Sequence, residues 1–165
     1  MTFNNYTQKS LEAVQSAQNI AVQHSNQQLE QIHLLLALLQ QDGGLTPQLL
    51  RKMGVNVESL EAAAKAEVRN LPTVTGSREA DRFYISAAVD ATFCTAEQQA
   101  QRMKDDFISV EHLLLALIEA AQGSVKNLFE TYRITKEGAL QALQGIRGRQ
   151  RVPTDNPEST YDALE

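Results

Sequence analysis

One cysteine, three histidines and an acidic run at 105–111 are where reactive chemistry would have to reside in this chain. Cys94 has no histidine within a helical turn to take its proton, so a buried small apolar residue is the reading preferred over a nucleophile. His33 and His112 each open the same hexapeptide, HLLLAL, 79 residues apart. A paired metal site would want cysteines or carboxylates at ligand spacing, and only Glu111 stands near. Each imidazole is therefore expected to hydrogen-bond near the start of a buried helix. Asp105, Asp106 and Glu111 are residue types that serve as a general acid/base set or a cation site. Carboxylates in a loop ahead of a helix are more often solvated caps, and Thr7 is likewise an N-cap first. No GxxxxGK[ST] surrounds any of the eight glycines, so the standard phosphate cradle is missing and no nucleotide hydrolysis by this span is expected. Neither a cofactor nor a metal is expected in it.

Composition sets the outer bounds. The 165 residues, 42% hydrophobic and 21% charged, suit one domain or two small ones with a real core. Fifteen Lys+Arg against twenty Asp+Glu give −5, which argues against a nucleic-acid partner held by phosphate contacts. The local basic cluster at 147–151 lacks interleaved aromatics and reads as a solvated, dipole-complementing helix end followed by a Pro-containing linker. No apolar run reaches the roughly 20 residues of a membrane span, and the N-terminus lacks a secretory pattern. A lone cysteine forms no disulfide framework, so a cytoplasmic, reducing setting is expected.

Helices must position the residues named above, because glycines and prolines are few and fall between stretches of helical period. Thr7 precedes a helix with Leu11, Val14, Ala17 and Ile20 on one face and glutamines on the other. A second helix, 31–41, is apolar almost all round and should be central. Thr46-Pro47 is expected to open a third, Gly54 to end it in the left-handed region, and Asn56 to cap a fourth. Residues 71–80 read as a linker; helices follow from about 81, after Ser109, and from Ser124 and Thr135. The total is eight helices and no strand.

The second four repeat the first four. The 79-residue displacement that superposes the two HLLLAL segments also aligns Ala17 with Ala96, Ala21 with Ala100, Leu29 with Ile108, Leu49 with Leu128 and Val55 with Ile134. The last helix is read with one extra residue, pairing Leu60 with Leu140. The expected architecture is thus all-α: two four-helix units, about 1–70 and 81–148, related by a pseudo-twofold, with a flexible tail at 149–165. A seam between such units is a preferred binding place. Three departures from symmetry point to the second copy: Gly54 becomes Arg133, Asn26-Gln27 becomes Asp105-Asp106, and Ile32 becomes Glu111.

The segment FISVEHLLLALIE, its weaker copy HSNQQLEQIHLLLALL and the stretch QQDGGLTPQLLRKMGVNVESL together resemble the Clp repeat domain. That family lies at the N-terminus of Clp-type AAA+ unfoldases, and the tail NPESTYDALE is similar to the segment leading a ClpB-type disaggregase into its first ATPase domain. The resemblance implies a recognition module of a hexameric, ATP- and magnesium-dependent chaperone that draws polypeptides out of aggregates, with a co-chaperone system left open. The alternative it leaves is an adaptor-docking domain of a ClpC- or ClpA-like protease partner. It carries a polar trio for substrate handling onto Thr7, Asp105 and Glu111, and apolar groove positions onto Phe93 and His112. On this expectation Phe93 and His112 floor a groove and the trio forms its edge. Replacing Asp105 or Glu111 by alanine would then weaken client capture with the thermal midpoint unchanged.

Overall fold

The structure, a computed structural model, describes residues 3–74 and 84–147. Eight helices lie within them: α1 (Gln8–Gln23), α2 (Gln31–Gln40), α3 (Leu45–Lys52), α4 (Val57–Arg69), α5 (Ala87–Arg102), α6 (Val110–Ala120), α7 (Gly123–Thr131) and α8 (Lys136–Arg147). This is the all-α class read from the periodicity.

The duplication extends to the helix caps. Thr7 accepts the N–H of Ser10 at the start of α1, and Ser86, 79 residues on, accepts that of Val89 at the start of α5. Asn56 accepts from Ser59 at α4, and Thr135 from Gly138 at α8. Left-handed residues also recur in register: Ser25 (φ 54°) with Lys104 (58°), and Gly54 (84°) with Arg133 (57°). A side chain in that region costs about 1–2 kcal/mol, so the second copy bears at Arg133 a strain the first avoids.

Several element boundaries differ from the sequence reading. Leu140 is 38% exposed, whereas Ala139 is as fully buried as Leu60. No extra residue is therefore needed: the displacement of 79 runs to the end of α8, and Val68 corresponds to Arg147. Thr46 sits inside α3, which begins one residue earlier after Gly44. Ser124 likewise falls inside α7, which follows Gln122.

The expectation of no strand also fails, in an informative way. β1 (Gln28–Leu29) and β2 (Tyr84–Ile85) form a two-residue parallel pair, too short for an alternating pattern to show in the sequence. Tyr6 and Ile108 form a parallel bridge of their own, and they stand 79 residues from Ile85 and Leu29. Thr7 N–H donates to the Ile108 carbonyl at 2.9 Å, and Ser86 N–H to that of Leu29 at 3.0 Å. The lead-in to each repeat's first helix thus pairs with the lead-in to the other repeat's second helix, and the exchange is reciprocal.

Both halves share one core. Every residue from Gln31 to Leu39 in α2 and from Val110 to Leu117 in α6 is buried, as helices apolar on all sides require. A buried glutamine fastens the halves: Gln31 Nε2 donates to Thr92 Oγ1 at 3.0 Å and to the Ala120 carbonyl at 2.9 Å, while its Oε1 accepts from Gln122 N–H at 3.0 Å. The first part of the expected linker is tied down, with Val74 N–H donating to the Ser25 carbonyl at 2.8 Å. The remainder, 75–83, and the tail at 149–165 lie outside the described residues.

Candidate functional site

His33 and His112 are held alike at the starts of α2 and α6. The Glu30 N–H donates to His33 Nδ1 and the Ser109 N–H to His112 Nδ1, both at 2.9 Å. With Nδ1 acting as acceptor, the proton of the neutral ring sits on Nε2 in both copies. There the copies diverge: His33 Nε2 meets Asn26 Oδ1 at 2.8 Å, and His112 Nε2 meets Asp105 Oδ2 at 2.7 Å. Burial, with a smaller contribution from nearby His24, lowers the His33 pKa from 6.5 to about 4. The expectation of imidazoles serving the helix starts is met, and no group of three His, Cys, Asp or Glu suited to a metal occurs among the described residues.

Asp105 leads into a buried ionic cluster. Its Oδ1 pairs with Arg147 Nη2, and Arg147 Nη1 reaches Glu111 Oε1 at 3.5 Å. The Asp105, Glu111 and His112 side chains are 0% exposed and that of Arg147 is 4%. Glu111 Oε2 is buried with no hydrogen-bond partner. Two sequence expectations give way here. Asp105 and Glu111 are not solvated caps, and Arg147 is not a solvated helix end. Removing one member of a buried pair strands the others at a cost of about 3–5 kcal/mol, so an alanine at 105 or 111 should lower the thermal midpoint, against the expectation above.

Thr7 and Phe93 join this cluster through the reciprocal pairing. Thr7 is 0% exposed and caps α1, and the Ser10 hydroxyl donates to both the Thr7 and Ile108 carbonyls, at 2.8 and 3.0 Å. Tyr6, paired with Ile108, stacks edge-on with Phe3 at 4.9 Å between ring centres, and Phe3 does the same with Phe93 at 5.5 Å. Burial, aided by Glu97 and Cys94, pushes the Tyr6 phenol above its ordinary pKa, and its hydroxyl has no partner. All five residues carried over from the resemblance therefore converge on the Tyr6–Ile108 seam. None of them reaches the surface, however: Thr7, Phe93, Glu111 and His112 are 0% exposed, as is the Asp105 side chain. The expected groove floor and edge are in fact the packing beneath the seam.

What lies open beside the seam is a cleft of about 580 Å³ along α1, lined by Phe3, Leu11 and Val14 with Gln8, Gln15 and Gln18 around them. Leu11, assigned from sequence to the core face, is 39% exposed there. Sequence reasoning missed the half-buried Phe3 and the exposure of Leu11; the glutamines flanking Leu11 were the available sign that its face meets water. Cys94, expected buried, is exposed on α5.

The family model described as the Clp repeat (R) N-terminal domain matches residues 5–132. Over 166 aligned residues the chain is 43% identical to chaperone protein ClpB of Bacillus cereus, covering 100% of this chain and 19% of that protein. It is 38% identical to chaperone protein ClpB of Clostridium tetani, over 99% of this chain and again 19% of the relative. In three dimensions it is similar to the Hsp104 N-terminal domain from Candida albicans, with a TM-score of 0.82 at 21% identity over 94% of this chain and 99% of that one. The chain thus spans about a fifth of the length of the curated relatives it matches.

Proposed function

The chain belongs to the Clp repeat N-terminal domain family, and from that membership we propose that it is the client-engaging end of an ATP-dependent disaggregase of the ClpB type. In this reading the remainder of the parent protein forms a hexameric AAA+ ATPase, uses ATP and magnesium, and does the mechanical work in the cytoplasm. This span captures unfolded or aggregated polypeptide and hands it on. Adaptor docking to a protease-associated unfoldase is the alternative, and the names of the 43% and 38% identical relatives favour the first reading.

The observation that carries the proposal is the α1 cleft. An unfolded chain offers apolar side chains together with unpaired peptide N–H and C=O groups. Phe3, Leu11 and Val14 match the former, and the Gln8, Gln15 and Gln18 amides, donors and acceptors at once, match the latter. The five buried residues act from below: Thr7 fixes the start of α1, Phe93 backs Phe3, and His112 with Asp105 and Glu111 braces the 105–112 segment, whose Ile108 pairs with Tyr6 ahead of α1. Binding is weak, because a shallow cleft buries little area and the client must be ordered to enter it. Six copies on a ring restore avidity without a tight single contact.

Anisotropy of a labelled, permanently unfolded polypeptide such as reduced carboxymethylated lactalbumin tests the reading. Leu11→Asp sits at a half-open position and should keep the thermal midpoint while weakening capture about tenfold, the scale of one lost apolar contact. Undiminished capture by the folded variant would remove the cleft from the proposal.

A further inference from the structure

A second open cleft, of about 650 Å³, lies at the far end of α2 from His33, where the turn after α2 meets α3 and α4. Its floor is apolar, made by Leu39, Pro47 and Val57, and its rim is acidic, with Asp42, Glu58 and Glu61. Arg51 is the basic residue among the lining side chains and is already paired with Glu58 at 3.1 Å. Lys65 takes Glu61 at 3.1 Å from one turn along α4, and Asp42 has no ion-pair partner among the described residues. On the wall, Gln41 spends Nε2 on the Lys9 carbonyl at 2.7 Å and keeps Oε1 buried with no hydrogen-bond partner. The cleft thus presents negative charge and a bare acceptor above an apolar floor. The fold does not require that charge: in the second copy Ala121 stands in place of Asp42 and Leu140 in place of Glu61, on the same turn and helix.

Cations that match the rim lie close by along the chain. α8 runs beside α3, with Gly138 against Met53 Cε and Gly145 against Lys52 Nζ, and the helix ends two residues further on, at Arg147. Lys52 adjoins Arg51 of the rim, and α3 has eight residues, so it is about 12 Å long. An extended chain advances about 3.3 Å per residue, so about four residues past Arg147 match the whole length of α3. Those positions, outside the described residues, carry Arg149, Arg151 and Val152, with Pro153 next and the first following acid at Asp155. Arginines two apart share one side of an extended segment. We propose that segment 149–152 of this same chain docks in the α2–α3–α4 cleft, with Arg149 and Arg151 on the acidic rim and Val152 over the apolar floor. The docked segment straps the exit of the second repeat to the first and so sets the direction in which the chain leaves the domain. Exposed ion pairs hold it, so the strap is weak and salt-sensitive, and the short tether supplies the effective concentration that lets it form. It uses no residue of the α1 cleft and does not depend on the client-engaging role.

Paramagnetic broadening on the full 165-residue chain tests the strap. A nitroxide is attached at Gln150→Cys, with Cys94→Ser removing the one native thiol. It should broaden the amide signals of Gly43, Gly44 and Gln48 and leave sharp those of their second-copy counterparts, Gln122, Gly123 and Asn127. Tethering alone brings the label near α3, so the response to charge is the decisive reading. Asp42→Ala with Glu61→Leu, the second copy's own residues, should lower the docked-to-free ratio about threefold for each ion pair lost. Arg149→Glu with Arg151→Glu should lower it at least as much, and this variant decides the matter if the cleft variant does not fold. Reversing both sides together, with Asp42→Arg and Glu61→Arg added to the two arginine replacements, should restore the broadening. Broadening that ignores these charges overturns the strap. So does broadening that grows with protein concentration, which would seat the segment on a second copy. Sharp Gly43 and Gly44 signals in the labelled parent also overturn it and leave the cleft to a basic segment of another protein.

Discussion

A single buried proton position contributes an acid-side pH response to the first repeat. His33 keeps Nδ1 bare to accept from the Glu30 N–H and donates Nε2–H to Asn26, so the charged ring would lose an acceptor role and gain no anion. Its pKa is about 4 when folded, against about 6.5 when unfolded. Between those values the unfolded chain binds a proton that the folded chain refuses. Stability therefore declines as pH falls from about 6.5 to about 4, by about 3 kcal/mol in all, and His33 contributes no further slope well below that. Urea midpoints at pH 7 and pH 4.5 should drop more for the parent than for His33→Gln; equal drops would mean that His33 does not carry this proton. Part of this was legible beforehand: the matched histidines and the HLLLAL context already placed both imidazoles at helix starts. What was not legible is which neighbour each one meets. Asn26 and Asp105 lie seven residues upstream, and only the left-handed turn at Ser25 and Lys104 brings them back onto the ring.

At the level of elements, strong local rules were read correctly and weak ones were not. Thr7, Asn56 and Thr135 are side chains that cap helices wherever the chain lets them, and all three do so. The register of α8 was misread because leucine outranks alanine by hydropathy, so Leu140 drew the alignment that Ala139 in fact satisfies. Arg147 was read as solvated because a charged residue at a helix end ordinarily is. Gln31 is the sharpest case. Seventeen glutamines look alike in the sequence, yet this one is 4% exposed and spans α2, α5 and α6 with its amide. Gln31→Ala leaves the Gln122 N–H and the Ala120 carbonyl without that partner inside the protein, and should cost about 3 kcal/mol in equilibrium unfolding. The exposed Gln23→Ala should change stability by less than about 0.5 kcal/mol. A Gln31→Ala midpoint indistinguishable from that of Gln23→Ala would show that the amide is not what joins the repeats.

At the scale of the whole molecule, two four-helix units have become one folding unit, because each completes the other. A separated repeat of this size is marginal to begin with, since about 60 residues bury only about 60% of the surface their unfolded chain exposes. Separation here does more damage than size alone. The lead-in strands lose their partners, because Tyr6 pairs with Ile108 and Leu29 with Ile85, always across the repeats. The two most apolar helices, α2 and α6, are buried on every side only because each half covers the other, and the core they share is continuous. A fragment of residues 1–80 should therefore show partial helicity by circular dichroism and no cooperative urea transition, and so should a fragment of residues 81–165. Mixing the two should restore a cooperative transition whose midpoint rises with concentration, as expected once an intramolecular pairing at effective millimolar strength becomes bimolecular. Had the repeats been independent beads on a linker, residues 1–80 alone would unfold sharply at a midpoint close to that of the intact chain. That outcome would also undo the seam as a built feature, for a site at a junction requires that the junction be part of the fold.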